Sequence, residues 1–515
     1  MSLKLFSVNI NPLLLRELRQ QVRNRFVIVL INLYLAVLVL VCAMCVFEYH
    51  YSSQRHGVGE ILFGSLATVM GIACFLTVVV YTALTTASER INNDLMFTSA
   101  LKPSSIVFGK ALAGAILTVL LMSMTAPFVM VAYLLRGLDI EVVAITFISI
   151  FTAIQVFNSM AICVCSNVKT KIQMLTVLGG CFFVSIFGLQ MIFTLVFSHY
   201  RFFTFGTLTW FEFLIPFLIA GAVFAVFLTS AIATIAPPAS NRLLPLRLTV
   251  TIIYLGSLLI CLNIPSGDMS WIYSWTIALA VLMFMVVSER ETWSPRIRRT
   301  LPKSFIFRAI LFPFYTGSAN GFVWLTLLGL GVYFVLLHAI IKSGTNPEIL
   351  PFYWFLFSFD YCVTAMLLRS RFLSKKIMPE KTSVIVLLLF FVFVPGGMLT
   401  CFLLQNSEYS DFYDVYSQSF FSVLNPFMMN EFGSGGGVER QGVTALIWFL
   451  GLLIPFFIWF ISCVRHFSPK NIEETLTLEQ AIAAIREAET NPLVQSDRER
   501  AKKNNVTQTV SLSSP

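Results

Sequence analysis

The sequence predicts an all-α, polytopic integral membrane protein of about twelve transmembrane helices in two six-helix halves, with both termini inside. Three observations carry this expectation. Of the 515 residues, 57% are hydrophobic and 12% charged, with a mean hydropathy of +0.82, a balance foreign to soluble globular domains. Apolar runs recur at 26–47, 61–86, 108–135, 142–165, 172–197, 212–236, 248–264, 270–288, 320–341, 350–368, 382–404 and 442–464. Each approaches the roughly 20 residues that a helix needs to cross about 30 Å of hydrocarbon, the seventh being the shortest. Lys and Arg are also unevenly distributed. With the N-terminus inside, only Arg55, Arg136, Arg201, Lys342 and Arg440 lie outside, and the other 30 of 35 fall in cytoplasmic segments. That bias sets orientation, and a wrong number of crossings would scramble it. The net charge of +9 is then a membrane-face signal, and no nucleic-acid partner is expected.

Residues 1–25 form a cytoplasmic segment. After Asn11-Pro12, the stretch LLLRELRQQVRNR sets Leu14, Leu15, Leu18 and Val22 along one side and Arg16, Arg19, Arg23 and Arg25 along the other. This is the pattern of a helix lying in the headgroup plane. The arginines alone would serve as the positive flank of the first span, but the apolar stripe asks for more. Five basic side chains precede the first span and no small-residue cleavage site follows it, so no signal peptide is expected.

The first six-helix unit covers 26–236, with a polar interruption between its second and third spans. There Glu89 and Arg90 follow the second span directly. A short amphipathic stretch, 93–101, contains Asn93, Asp94 and Leu95. Lys102-Pro103-Ser104-Ser105 and Gly109-Lys110 then open the third span. By itself this is a short loop with solvated charges. Combined with Asn-Pro-Leu-Leu-Leu-Arg-Glu-Leu-Arg at 11–19, it resembles the permease subunits of ABC-2 type transporters, which have an elbow helix and then an acidic-basic pair, a short helix, a Pro-Ser turn and Gly-Lys in this order.

The resemblance implies a function. The segment 88–107, through Glu89, Arg90, Asn93, Asp94 and Leu95, would dock onto a separate ABC ATPase subunit. The elbow helix, through Arg16, Glu17 and Arg19, would transmit the motion. ATP and Mg would bind the partner, leaving no cofactor or metal in this chain, and the membrane would be the bacterial inner membrane.

In the fourth span Gln155 and Asn158 share a helix face. Two readings stand: hydrogen bonds to a neighbouring helix, the commoner fate of amides in hydrocarbon, or the lining of a translocation pathway. Pro237 and Pro238 end the sixth span. A cytoplasmic connector, 237–247, leads to a second six-helix unit, 248–464. No convincing sequence repeat relates the halves, and the second half lacks a clear second Glu-Arg coupling loop. A whole translocator in one chain and pairing with a second permease copy therefore both stay open. Arg296, Arg298, Arg299, Lys303 and Arg308 lie in the longest loop between spans on the inner side. Lipid phosphates are their default partners, at about 1 kcal/mol per basic residue.

Asp360 sits near the middle of the tenth span. An intramembrane carboxylate costs at least about 2.5–3.5 kcal/mol on insertion scales, which makes it a functional-site candidate, with a packing role as the alternative. The outer segment 405–441 is aromatic and ends in glycines. The cytoplasmic tail, 465–515, is read as a short helix followed by a polar, disordered stretch.

Catalysis by this chain is not expected. No glycine-rich loop with Lys and Ser/Thr is present to hold phosphates, and there is no His-Glu-x-x-His or Gly-x-Ser-x-Gly. The ten cysteines all fall in expected spans and read as small apolar residues. An ion-coupled secondary transporter built around Asp360 is the alternative function.

Overall fold

The computed structural model describes residues 12–51, 58–92, 102–135, 139–168, 210–237, 240–262, 268–289, 297–298, 301–302, 304–343, 350–373, 382–395 and 437–467. Among these residues the chain is helical apart from short turns and connections, without strands, and ten helices are long and apolar enough to cross a membrane. These ten match ten of the twelve expected runs. The run 172–197 lies outside the described residues. The run 382–404 is described only at its start, as a short apolar helix. The stretch with Asn93, Asp94 and Leu95, the segment 405–436 and the tail beyond residue 467 also lie outside them.

In chain order the elements are α1 (Pro12–Arg23), α2 (Arg25–Tyr51), α3 (Val58–Cys74), α4 (Tyr81–Asn92), α5 (Pro103–Leu134), α6 (Ile140–Cys165) and α7 (Trp210–Ile235). They continue with α8 (Leu244–Cys261), α9 (Asp268–Val286), α10 (Phe305–Leu311), α11 (Ser318–Ser343), α12 (Leu350–Leu368), α13 (Thr382–Phe393) and α14 (Gly437–His466). A π-helical stretch, Phe75–Val80, joins α3 to α4 within one long span, and a second one, Arg369–Leu373, follows α12. Such stretches carry one residue too many for the i→i−4 ladder and concentrate at functional positions. Pro103 occupies the first turn of α5, where its missing N–H costs nothing.

The bundle is apolar on the outside. Leu134, Ile140 and Ile454 are each more than 70% exposed, as are many other large apolar side chains to a lesser degree. In water each would forgo about 1.5–3 kcal/mol of burial free energy, so hydrocarbon is the environment this surface fits. The polar side chains Thr118, Asn158, Asn320 and Asp360 are instead fully buried.

Two cores hold the two halves. One joins α2, α3, α4, α5 and α6, and the other joins α8, α9, α11, α12, α13 and α14. The helix pairings correspond in order. In the first half α2 packs on α3, α3 on α5, the α3–α4 span on α6, α6 on α7, and α5 on α7. In the second, α8 packs on α9, α9 on α11, α9 on α12, α12 on α14, and α11 on α14. The pairing of α5 with α6 has no equally extensive counterpart. α7 and α8 pack together where the halves meet.

Candidate functional site

The elbow stretch forms the expected helix, α1, but with three faces instead of two. Leu13, Leu14, Glu17 and Gln21 are buried against the protein. Leu15 and Val22 are exposed, on the side suited to lipid. Arg16, Arg19, Gln20 and Arg23 are exposed on the third side, where with Asn24 they line an open hollow. The apolar stripe read from the sequence is thus divided: Leu14 leaves it for the interior, because the side of the helix toward α5 needs apolar contacts around a buried acid.

That acid is Glu17. It meets Lys110, which lies two turns into α5, at 2.9 Å in a hydrogen bond from Nζ to Oε1. Lys110 Nζ also lies 2.7 Å from Oε2 of Glu89, near the end of α4. Arg16 adds a contact of 3.4 Å to Oε1 of Glu89. The side chains of Lys110, Glu17 and Glu89 are 3%, 3% and 6% exposed, whereas that of Arg16 is 49% exposed. Three elements are therefore tied at one point: the elbow and the two helices that flank residues 93–101.

Packing continues the junction. Leu13 of the elbow joins Ile106, Val107 and Ala111 of α5, Ile162 and Cys163 of α6, and Leu228, Ala231 and Ile235 of α7 in a separate apolar cluster. Glu89 and Lys110 were read from the sequence as membrane-face charges. The fold buries both, because each supplies the countercharge that the other needs, and a carboxylate or ammonium buried alone would cost several kcal/mol. Arg90 lies on α4. Arg19 remains on the exposed face, outside the ion-pair network.

Gln155 and Asn158 face α5. Gln155 Nε2 donates to Thr118 Oγ1 at 3.1 Å, and Asn158 Nδ2 reaches the Ala111 carbonyl at 3.5 Å. Asn158 packs against Gly114 so closely that a Cβ there would lie 2.4 Å from its Nδ2. Both amides thus reach a neighbouring helix.

Asp360 is fully buried on α12 within the second core. Neither of its carboxylate oxygens has a hydrogen-bond partner among the described residues, and the same holds for the hydroxyl of Thr364 one turn later. An apolar cavity of about 470 Å³ lies nearby, lined among others by Phe355, Leu356 and Phe359, but Asp360 is not part of its wall.

The second half contains a polar centre that the sequence reading missed. Arg247, in the first turn of α8, is 1% exposed. Its Nη1 donates to the carbonyls of Pro313 and Tyr315 at 2.7 and 2.5 Å. Its Nη2 donates to Glu289 Oε2 at 2.5 Å and to the Gly317 carbonyl at 3.2 Å. The Gly317 N–H donates to the same Glu289 oxygen at 3.0 Å, and Asn241 bridges Phe314 and Thr316. The guanidinium also lies over the Trp324 ring, 5.7 Å from its centre. Burial pushes the Glu289 carboxyl above the usual range, while Arg247 and the Gly317 amide oppose that shift. Ser-Glu-Arg at 288–290 was the available signal; it repeats the tripeptide at 88–90.

Cys42 and Cys45 have Cys-x-x-Cys spacing on α2 and are not joined in a disulfide. No group of three or more His, Cys, Asp or Glu that would suit a metal ion occurs among the described residues. No protein-family model, curated protein or solved structure matches the chain.

Proposed function

We propose that this chain is the membrane-spanning permease subunit of an ABC transporter of the ABC-2 type, in a bacterial inner membrane. It would move its substrate by alternating access, driven by ATP hydrolysis on a separate ATPase subunit. The observation that carries the proposal is the Glu17–Lys110–Glu89 junction. A partner pressing on residues 93–101 displaces the ends of α4 and α5 together, and the buried ion pairs pull the elbow with them. From α5 the displacement passes to α6 and α7 through the cluster around Leu13, Ile162 and Leu228. Rigid packed elements linked by short polar contacts suit the transmission of force better than a solvated loop does. In this scheme the exposed face with Arg16, Arg19 and Arg23 lies at lipid phosphates, and N-in, C-in orientation puts the junction in the cytoplasm.

The test is co-purification from native membranes. The wild-type chain is expected to bring with it a polypeptide that hydrolyses ATP. Recovery of the intact chain without any ATPase, under conditions that preserve known membrane complexes, would overturn the proposal.

Asp360 favours a second reading, ion-coupled secondary transport, since a fully buried carboxyl with no hydrogen-bond partner among the described residues is a natural binding group for a proton or cation. Transport driven by an imposed ion gradient in ATP-free vesicles would support it, provided Asp360→Asn abolishes that transport.

A further inference from the structure

Resting on the permease reading, we infer that the second half carries its own transmission junction, centred on Glu289, so that one chain presents two equivalent points and serves two ATPase subunits without a second permease copy. Three independent correspondences support this.

The first is local. Ser88-Glu89-Arg90 lies in the last turns of α4, at the end of the span that packs on α5 and α6, and Ser288-Glu289-Arg290 stands just past α9, which packs on α11 and α12. Both serines turn back onto their own helices in the same way: Ser88 Oγ donates to the Thr85 carbonyl at 2.9 Å and Ser288 Oγ to the Met285 carbonyl at 2.7 Å.

The second is the clasp. In each half the glutamate binds a basic residue from the segment that begins the half, Arg16 of the elbow or Arg247 of α8. In each it also binds the start of the next packed helix, through Lys110 of α5 or the Gly317 N–H just before α11. The chemistry differs while the connectivity agrees. Lys110 needs two acids around it, whereas Arg247 spreads its charge over one acid and three carbonyls, a task for which its planar fork of donors is suited.

The third is packing at the same end of each bundle. The apolar cluster at the first junction brings the start of α5 against the end of α7, through Ile106 and Ile235. The cluster at the second brings Ala319, at the start of α11, against Cys463 and Phe467, at the end of α14. Together with the helix pairings that correspond, all but that of α5 with α6, this supports reading the halves as structural repeats. The buried polar groups follow the same order, with Asn158 on α6 and Asp360 on α12.

Cysteines placed by Ser88→Cys and, separately, Ser288→Cys in the full-length chain test the inference. Both serines are half-buried at the ends of their helices and each change is small. Native membranes are treated with a maleimide-benzophenone cross-linker and irradiated. Adducts are identified by mass spectrometry, with the unsubstituted chain as background. Both positions are expected to capture the same polypeptide, one that contains a Gly-rich phosphate loop. Native mass spectrometry of the unmodified complex is expected to give one permease chain with two ATPase subunits. Capture at Ser88→Cys alone, or a complex with two permease chains, would overturn the inference while leaving the permease reading intact. Capture at Ser288→Cys alone would also overturn the equivalence. Capture at neither position would remove both.

Discussion

Replacing Lys110 by Met keeps the length and most of the volume of the side chain while removing its charge. The variant leaves Glu17 and Glu89 facing each other at a site where the three side chains are at most 6% exposed. At an effective dielectric of about 20, each lost contact near 2.8 Å corresponds to roughly 6 kcal/mol of gross attraction, most of which offsets desolvation. The net loss on breaking a buried pair by removing one partner is about 3–5 kcal/mol. Arg16 cannot replace the lysine, since its own contact with Glu89 is 3.4 Å long and its side chain is half exposed.

The loss is expected to appear first as detachment of the elbow. Cys163, buried in the cluster that holds Leu13, provides a local readout. In detergent micelles, Lys110→Met should raise the rate of maleimide labelling at Cys163 and lower the melting temperature. Adding Glu17→Gln and Glu89→Gln removes the unpaired charges and should restore most of the stability. Unchanged labelling and melting in Lys110→Met would refute the buried network. Failure of the triple variant to recover would show that the network contributes more than charge balance.

Other changes test other parts of the fold. Gly114→Ala places a methyl group 2.4 Å from Asn158 Nδ2 and should cost about 1–3 kcal/mol by overpacking, with recovery in the double variant with Asn158→Ala; thermal melting of the single and double variants decides this. Gly317 has a φ of 139° and contributes both its N–H and its carbonyl to the Arg247–Glu289 centre. Gly317→Ala should therefore cost about 1–3 kcal/mol of backbone strain, read as a lowered melting temperature. Asp360→Leu removes two oxygens that have no hydrogen-bond partner among the described residues and should leave stability unchanged or raise it by about 1–3 kcal/mol. A loss of stability on that change would mean that Asp360 has a partner in the folded protein.

The membrane character and most of the spans were legible because both depend on local composition. A run of apolar residues of sufficient length has few alternatives to a helix in hydrocarbon, where no water is present to satisfy the backbone. The ten described spans accordingly lie within a few residues of their expected positions. The elbow helix was legible for a related reason, since its period of 3.6 residues separates arginines from leucines. Its division into three faces was not. The periodicity identifies which residues share a side, but it does not reveal that α5 lies against Leu14 and Glu17.

Charges mark the boundary between what the sequence by itself determined and what tertiary structure decided. From the sequence, Glu89, Lys110, Arg247 and Glu289 are flanking charges at membrane faces, and that much holds for their positions along the chain. Whether such a charge remains in water depends on a countercharge far along the sequence: 93 residues separate Lys110 from Glu17, and 42 separate Arg247 from Glu289. The sequence also contains Ser-Glu-Arg twice, but a tripeptide has no structural meaning until its glutamate has partners. Composition thus determined the solvent in which the chain folds. Only the packing of helices distant in sequence decided which charges leave that solvent, because burial of an ion is tolerable only where its opposite is buried with it.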